Sequence, residues 1–190
     1  MMKKTAAILA AALLSLGAGV PAAAAAPPPV VAASAPSGHG CGSRWGTSDE
    51  SVPAPSSATV VNVQAASRGC FDRLVVDLHG RLAGYSVRYV DEVTAEGSGL
   101  PVPLRGGAFL EVTVNAPAYD ENGDPTYYPA NPAEVVDVSG FDAFRQVAWA
   151  GSFEGTTRLG VGVREELPFR VFLLNGPDHG SRLVIDVAHR

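Results

Sequence analysis

The sequence predicts an all-β protein, an antiparallel β-sandwich of about eight strands. Three observations predict it. Beyond residue 57 the apolar residues alternate with a period of two rather than 3.6. Gly, Pro and Asn-Gly clusters interrupt the chain at short intervals. No stretch carries the apolar stripe of an amphipathic helix.

Taken in order, residues 59–64 read as the first strand, and residues 73–79 as the second, with Leu74, Val76 and Leu78 on one face. In 85–90, Tyr85, Val87 and Tyr89 alternate with Ser86, Arg88 and Val90. In 109–114, Leu110, Val112 and Val114 oppose Glu111 and Thr113. Further strands are expected at 144–153, 157–164, 169–174 and 182–188. The turns between them are marked by Gly97-Ser98-Gly99, Gly106-Gly107, Asn122-Gly123-Asp124-Pro125 and Asn175-Gly176-Pro177. A single helical turn is expected at 140–144.

This domain is preceded by an address and a tether. Met1 to Lys4 are cationic, Ala6 to Val20 are almost wholly apolar, and Ala22 to Ala26 are small. That layout predicts a secretory signal peptide over 1–25, with cleavage between 24 and 33. The apolar run is shorter than the roughly 20 residues needed to span a bilayer, and no second run of that length follows, so the mature protein is expected to lack a transmembrane segment. The expected localisation is secreted, in association with the cell envelope. Residues 26–56 are rich in Pro, Ala and Ser and read as a linker, because they cannot bury enough apolar area to offset chain entropy. Within it Cys41-Gly42-Ser43-Arg44-Trp45-Gly46 is expected to be pinned to the domain at 57–190.

Charge and cysteine content narrow the chemistry. The chain has 14 Lys+Arg against 19 Asp+Glu, net −5. Both lysines, Lys3 and Lys4, lie in the address, which leaves twelve arginines against nineteen acids, net −7. Such a domain has no basic stripe for nucleic acid, no Schiff-base lysine and no phosphate-loop lysine. Two cysteines in an exported protein most simply form one disulfide, Cys41 to Cys70, closing a loop of about 30 residues. A metal pair with His39 and a reactive thiol are the rival readings.

Several stretches carry a family resemblance. They are Cys70-Phe71-Asp72-Arg73-Leu74-Val75-Val76-Asp77, Gly84-Tyr85-Ser86-Val87-Arg88-Tyr89-Val90-Asp91, Ala116-Pro117-Ala118-Tyr119-Asp120 and Ala150-Gly151-Ser152-Phe153-Glu154-Gly155-Thr156. The C-terminal part adds Gly160-Val161-Gly162-Val163-Arg164, Leu167-Pro168-Phe169-Arg170-Val171 and the run from Arg182 to His189. Together they resemble the AMIN-like domain of secreted actinobacterial proteins, from about Cys41 to Arg190. The resemblance implies a β-sandwich related to the AMIN domain that accompanies cell-wall amidases and secretins and localises them on peptidoglycan. It brings no catalytic residues, and no amidase domain is expected after Ala188.

The residues themselves argue the same way. Glu96-Gly97-Ser98-Gly99 lacks the leading glycine of a nucleophile elbow, and there is no H-E-x-x-H pair. No cofactor is expected. A hydrolase with spatially paired carboxylates ranks third among the readings. Asp120, Asn122 and Asp124 alternate as in a calcium loop, but Pro125 stands where that loop needs glycine, so a polar hairpin end is preferred. His189 is expected at the surface.

Ligand-binding candidates are Tyr127 and Tyr128, the aromatic pair expected to be exposed in a long loop, together with Arg88, Arg164 and Arg170, because aromatics stack on sugar faces and guanidinium forks grip carboxylates. For each arginine, an ion pair with a neighbouring acid is the competing reading. The sequence therefore predicts a non-catalytic envelope module that recognises peptidoglycan or an associated glycan, with an envelope protein bound at a sheet edge as the alternative.

Overall fold

The computed structural model describes Cys41 and residues 44–190. The predicted signal peptide, and the predicted linker up to residue 40, lie outside the described residues. Nine strands are present: β1 (Glu50–Val52), β2 (Thr59–Ser67), β3 (Phe71–His79), β4 (Tyr85–Val90), β5 (Ala108–Val114), β6 (Phe144–Phe153), β7 (Thr156–Val163), β8 (Phe169–Asn175) and β9 (Ser181–Ala188). All strand pairs are antiparallel. They form a five-stranded sheet, β1-β4-β5-β7-β6, and a four-stranded sheet, β2-β3-β9-β8. The eight expected strands are present, with ends displaced by no more than a few residues.

Period-two alternation places the core between the sheets. Leu74, Val76 and Leu78 of β3 and Leu183, Ile185 and Val187 of β9 face Val87, Leu110, Val112, Leu159, Val161 and Val163 in one buried cluster. Full burial of each such side chain stabilises by about 1.5–3 kcal/mol before chain entropy is subtracted.

Three local expectations are corrected. Glu50–Val52, inside the stretch that composition reads as linker, is an edge strand with Val52 opposite Tyr85. Three residues between prolines and serines are too short to show a period. The expected helical turn at 140–144 is absent, and the Phe141 N–H bonds the Val138 carbonyl in a turn. A helix there is pre-empted by Asp72, a wholly buried carboxylate that accepts the N–H groups of Ala143 at 2.6 Å and Phe144 at 3.0 Å. Its other oxygen accepts from Ser67 Oγ at 2.8 Å and meets His189 Nε2 at 3.0 Å. His189 is therefore not a surface residue: its side chain is only 10% exposed and lies between Asp72 and Asp142.

The segment between β4 and β5 crosses the outer face of the five-stranded sheet. Its own N–H groups hold it in an extended hairpin, Val102 to the Val93 carbonyl and Ala95 to the Leu100 carbonyl, both at 2.8 Å. Pro101 and Pro103 keep it from coiling. It lies close because β7 presents glycine beneath it: a Cβ on Gly162 would fall 1.8 Å from the Arg105 carbonyl oxygen, and one on Gly160 would fall 2.8 Å from Leu104 Cδ1.

Candidate functional site

Two aromatic surfaces arise from this framework, one on each sheet. The first is a groove of about 520 Å³ between the strap at 101–105 and the edge of β6. Pro101, Pro103, Pro132, Ala148 and Trp149 give it apolar walls, with Arg105 and Gln146 as its polar groups. The edge of β6 would otherwise present free backbone groups. Here the Trp149 N–H donates to the Pro132 carbonyl at 2.7 Å and the Val135 N–H to the Val147 carbonyl at 2.8 Å. Gln146 ties the two walls together, accepting from the Arg105 N–H at 2.7 Å and donating to the Ala133 carbonyl at 2.8 Å. The Arg105 guanidinium is solvent-facing, paired with Glu134 and donating to the Arg145 carbonyl at 3.0 Å.

The predicted tyrosines adjoin this groove unequally. Tyr128 is 66% exposed. Tyr127 turns inward against the core, and burial raises its hydroxyl pKa. The expectation of an exposed pair is thus corrected to a single exposed ring. Both meet Trp149 edge to face, with centroids 5.6 Å (Tyr127) and 6.3 Å (Tyr128) away.

The second surface is the outer face of the four-stranded sheet. Register puts Arg73 of β3 and Arg170 of β8 opposite Asp186 of the intervening β9. Asp186 is fully buried beneath them. Arg73 donates from Nε at 2.6 Å and Nη2 at 2.9 Å. Arg170 donates from Nε at 2.9 Å and Nη2 at 2.7 Å. The hydrogen bonds to the shared carboxylate raise the Arg73 pKa still further. Arg170 stacks 4.3 Å from the Trp45 ring, and Phe172 approaches both guanidiniums, at 5.4 Å from Arg73 and 5.1 Å from Arg170. Phe71 lies 5.2 Å from Arg73 and edge-on to Trp45 at 5.8 Å.

Trp45 is delivered by a tether. Cys41 is bonded to Cys70, Cα atoms 5.1 Å apart, and the Phe169 N–H donates to the Gly46 carbonyl at 2.8 Å. The disulfide reading of the cysteines stands. Glu50 then accepts the Val171 N–H at 3.2 Å, with burial raising its pKa and that bond partly offsetting the rise.

The remaining predicted residues lie elsewhere. Arg88 pairs with Glu111 at 2.8 Å, and Arg158 links Glu111 at 3.5 Å to Glu96 at 2.7 Å, an evenly balanced chain of two cations and two anions. Arg164 pairs with Glu165 at 3.0 Å and donates to the carbonyls of Asp142 and His189. Asp120 is spent on its own turn: its Oδ1 accepts the N–H groups of Asn122 at 2.8 Å and Asp124 at 3.0 Å, which lower its pKa. Among the described residues no three His, Cys, Asp or Glu side chains converge as metal ligands, at this turn or elsewhere.

Sequence reasoning missed Trp149, Arg105, Arg73 and Asp186. Glycine at alternate positions of β7 signalled a close backbone approach, and it was the one available pointer to the strap.

The architecture defines a β-sandwich whose outer faces, rather than an enclosed pocket of acids and bases, carry its aromatic and cationic groups. The family model of the AMIN-like domain matches residues 58–189, and the chain belongs to that family. Membership places it among envelope-associated binding modules. No curated protein matches the chain. Among the described residues no helix is long and apolar enough to cross a membrane.

Proposed function

We propose that the domain is a secreted module that binds a glycan of the cell envelope, peptidoglycan first, through the groove beside Trp149. The observation that carries this reading is the groove itself: an apolar trough walled by prolines, with Trp149 inside and the exposed ring of Tyr128 at its margin. Sugar rings present C–H faces that pack on such aromatics, while Arg105 and Gln146 supply the few polar groups that fix orientation. With a net charge of −7 over the domain, general attraction to an anionic wall is weak, so a shaped site has to provide the affinity.

The alternative of a protein partner at a sheet edge has less support. β8 is capped by Gly46 and Glu50, and β6 by the segment at 132–135. On β2, Val60 donates to the Pro117 carbonyl and accepts from Thr126 Oγ1. A hydrolase has no supporting carboxylate pair at the groove, where Glu134 is engaged by Arg105.

Co-sedimentation of the mature protein with purified, insoluble sacculi tests the proposal. The protein should pellet with sacculi at low salt, and Tyr128→Ala combined with Arg105→Ala should leave it in the supernatant. Unchanged pelleting of that variant would move the site away from the groove, and no pelleting of the wild type would remove the glycan reading.

A further inference from the structure

We infer that the outer face of the four-stranded sheet is a second binding site, specific for glycans that carry carboxylates on their sugar rings, independent of the groove. The argument starts from charge balance. Two guanidiniums, Arg73 and Arg170, share one carboxylate, Asp186. The neighbouring acid on the same face, Asp77, is already matched by Arg182 at 2.9 Å and accepts from Asn62 and Gln64 as well. On the opposite sheet the Arg88–Glu111–Arg158–Glu96 chain is neutral, which makes the two-to-one ratio here a local feature. One positive charge is left over, on a domain whose net charge is −7.

That charge faces outward. Each guanidinium spends Nε and Nη2 on Asp186, and among the described residues its Nη1 has no partner. Among the described residues the only buried side-chain polar atom without a partner is Arg158 Nε, so the two Nη1 groups reach solvent. Asp186, wholly buried beneath them, fixes both forks from below, so little side-chain freedom remains to be lost on binding. Charge complementarity therefore selects a carboxylate, which an arginine fork grips bidentately.

The rings select the rest of the ligand. Trp45, Phe71 and Phe172 surround the two guanidiniums and offer apolar surface beside the free N–H groups. A pyranose bearing a carboxylate presents both features at once, a C–H face and an anionic edge. An extended peptide would recruit backbone donors and acceptors from a sheet edge. The β8 edge beside this patch has already given its Phe169 and Val171 N–H groups to Gly46 and Glu50.

Calorimetric titration with α-1,4-tetragalacturonate tests the inference, alongside N-acetylchitotetraose as neutral glycan and a triglutamate peptide as non-sugar anion. The full mature protein should bind the tetragalacturonate and bind triglutamate at least about tenfold more weakly. Arg170→Gln, which leaves Arg73 and Asp186 as a balanced pair, should weaken tetragalacturonate binding by about tenfold or more. Trp45→Ala probes the same site without touching the buried carboxylate and should weaken binding comparably. Tyr128→Ala should leave it unchanged, which separates this site from the groove whatever becomes of the sacculus experiment. The inference is overturned if the wild type fails to bind tetragalacturonate, or if both Arg170→Gln and Trp45→Ala bind like wild type. Triglutamate binding as tightly as the uronate would reassign the face to an acidic peptide, and neutral-glycan binding that is as tight as the uronate's and is weakened equally by Arg170→Gln would remove the carboxylate from the recognition.

Discussion

Asp72 and His189, 117 residues apart in sequence, meet at 3.0 Å in the interior, where the carboxylate also holds two backbone N–H groups of the turn leading into β6. This one side chain ties the start of β3, the chain following β9 and the entry to β6, and so joins the two sheets at one end.

Asp72→Ala should therefore be severely destabilising. It leaves the Ala143 and Phe144 N–H groups buried without acceptors and His189 with Asp142 alone. Urea unfolding should show a loss of about 3 kcal/mol or more, since hydrogen bonds to a buried charge are worth roughly 1.5–3 kcal/mol each. Asp72→Asn, which keeps one acceptor, should lose less.

Tyr89 gives the protein an alkaline limit. Burial is the main cause that pushes its pKa up to about 12. Its hydroxyl accepts the Leu167 N–H at 2.9 Å and donates to the Leu167 carbonyl at 2.7 Å. The unfolded phenol releases its proton near pH 10, as an ordinary tyrosine does. Stability from this group is complete below about pH 10 and falls as pH rises toward 12, because only the unfolded state has then lost the proton. Tyr89→Phe should flatten that decline in thermal melts while lowering the melting temperature at neutral pH.

The disulfide should matter most to the Trp45 arm. By the loop-entropy estimate, a bridge across 29 positions contributes about 3–4 kcal/mol. Cys41→Ser with Cys70→Ser should lose stability of that order. In a Trp149→Phe background, the remaining emission of Trp45 should shift to the red as the ring leaves Arg170 and Phe71 for water. An unshifted spectrum would mean that the Gly46–Phe169 contact alone holds the arm.

Gly162→Ala should dislodge the strap. The added Cβ would sit 1.8 Å from the Arg105 carbonyl oxygen, so one of the two chains has to move. Overpacking of this kind costs about 1–3 kcal/mol. Sacculus binding should fall with it, because Arg105 and Pro103 form a wall of the groove.

The fold was legible because strands write a period of two into sequence, and the alternating Leu74, Val76 and Leu78 point into the core as that rule requires. The failures have local physical causes. The turn at 140–144 opens on Gly140 in the left-handed region, φ +79°, and is fastened by a carboxylate some seventy residues away. β1 is three residues long and is specified by its partner β4. Of the candidate ligand residues, Tyr128 and Arg170 stand at the two aromatic surfaces, whereas Arg88 and Arg164 are held by acids and carbonyls of their own surroundings. Which acid meets which arginine is a matter of strand register across nonadjacent segments, such as Arg73 and Arg170 converging on Asp186, and a single sequence carries no record of that pairing.

The Cys41–Cys70 bridge also decides how the domain bears load. Tension arriving along the chain before Cys41 passes through the sulfur atoms to Cys70, next to β3, and bypasses β1 and β2 altogether. β3 is flanked on both sides by hydrogen-bonded neighbours, β2 and β9. A pull that enters there has to shear two ladders together, whereas the same pull on a reduced chain would peel the three-residue edge strand first. Oxidation thus turns the N-terminal entry point from a zipper tab into a clamp, so that tension along the chain meets the interior of a sheet rather than its edge.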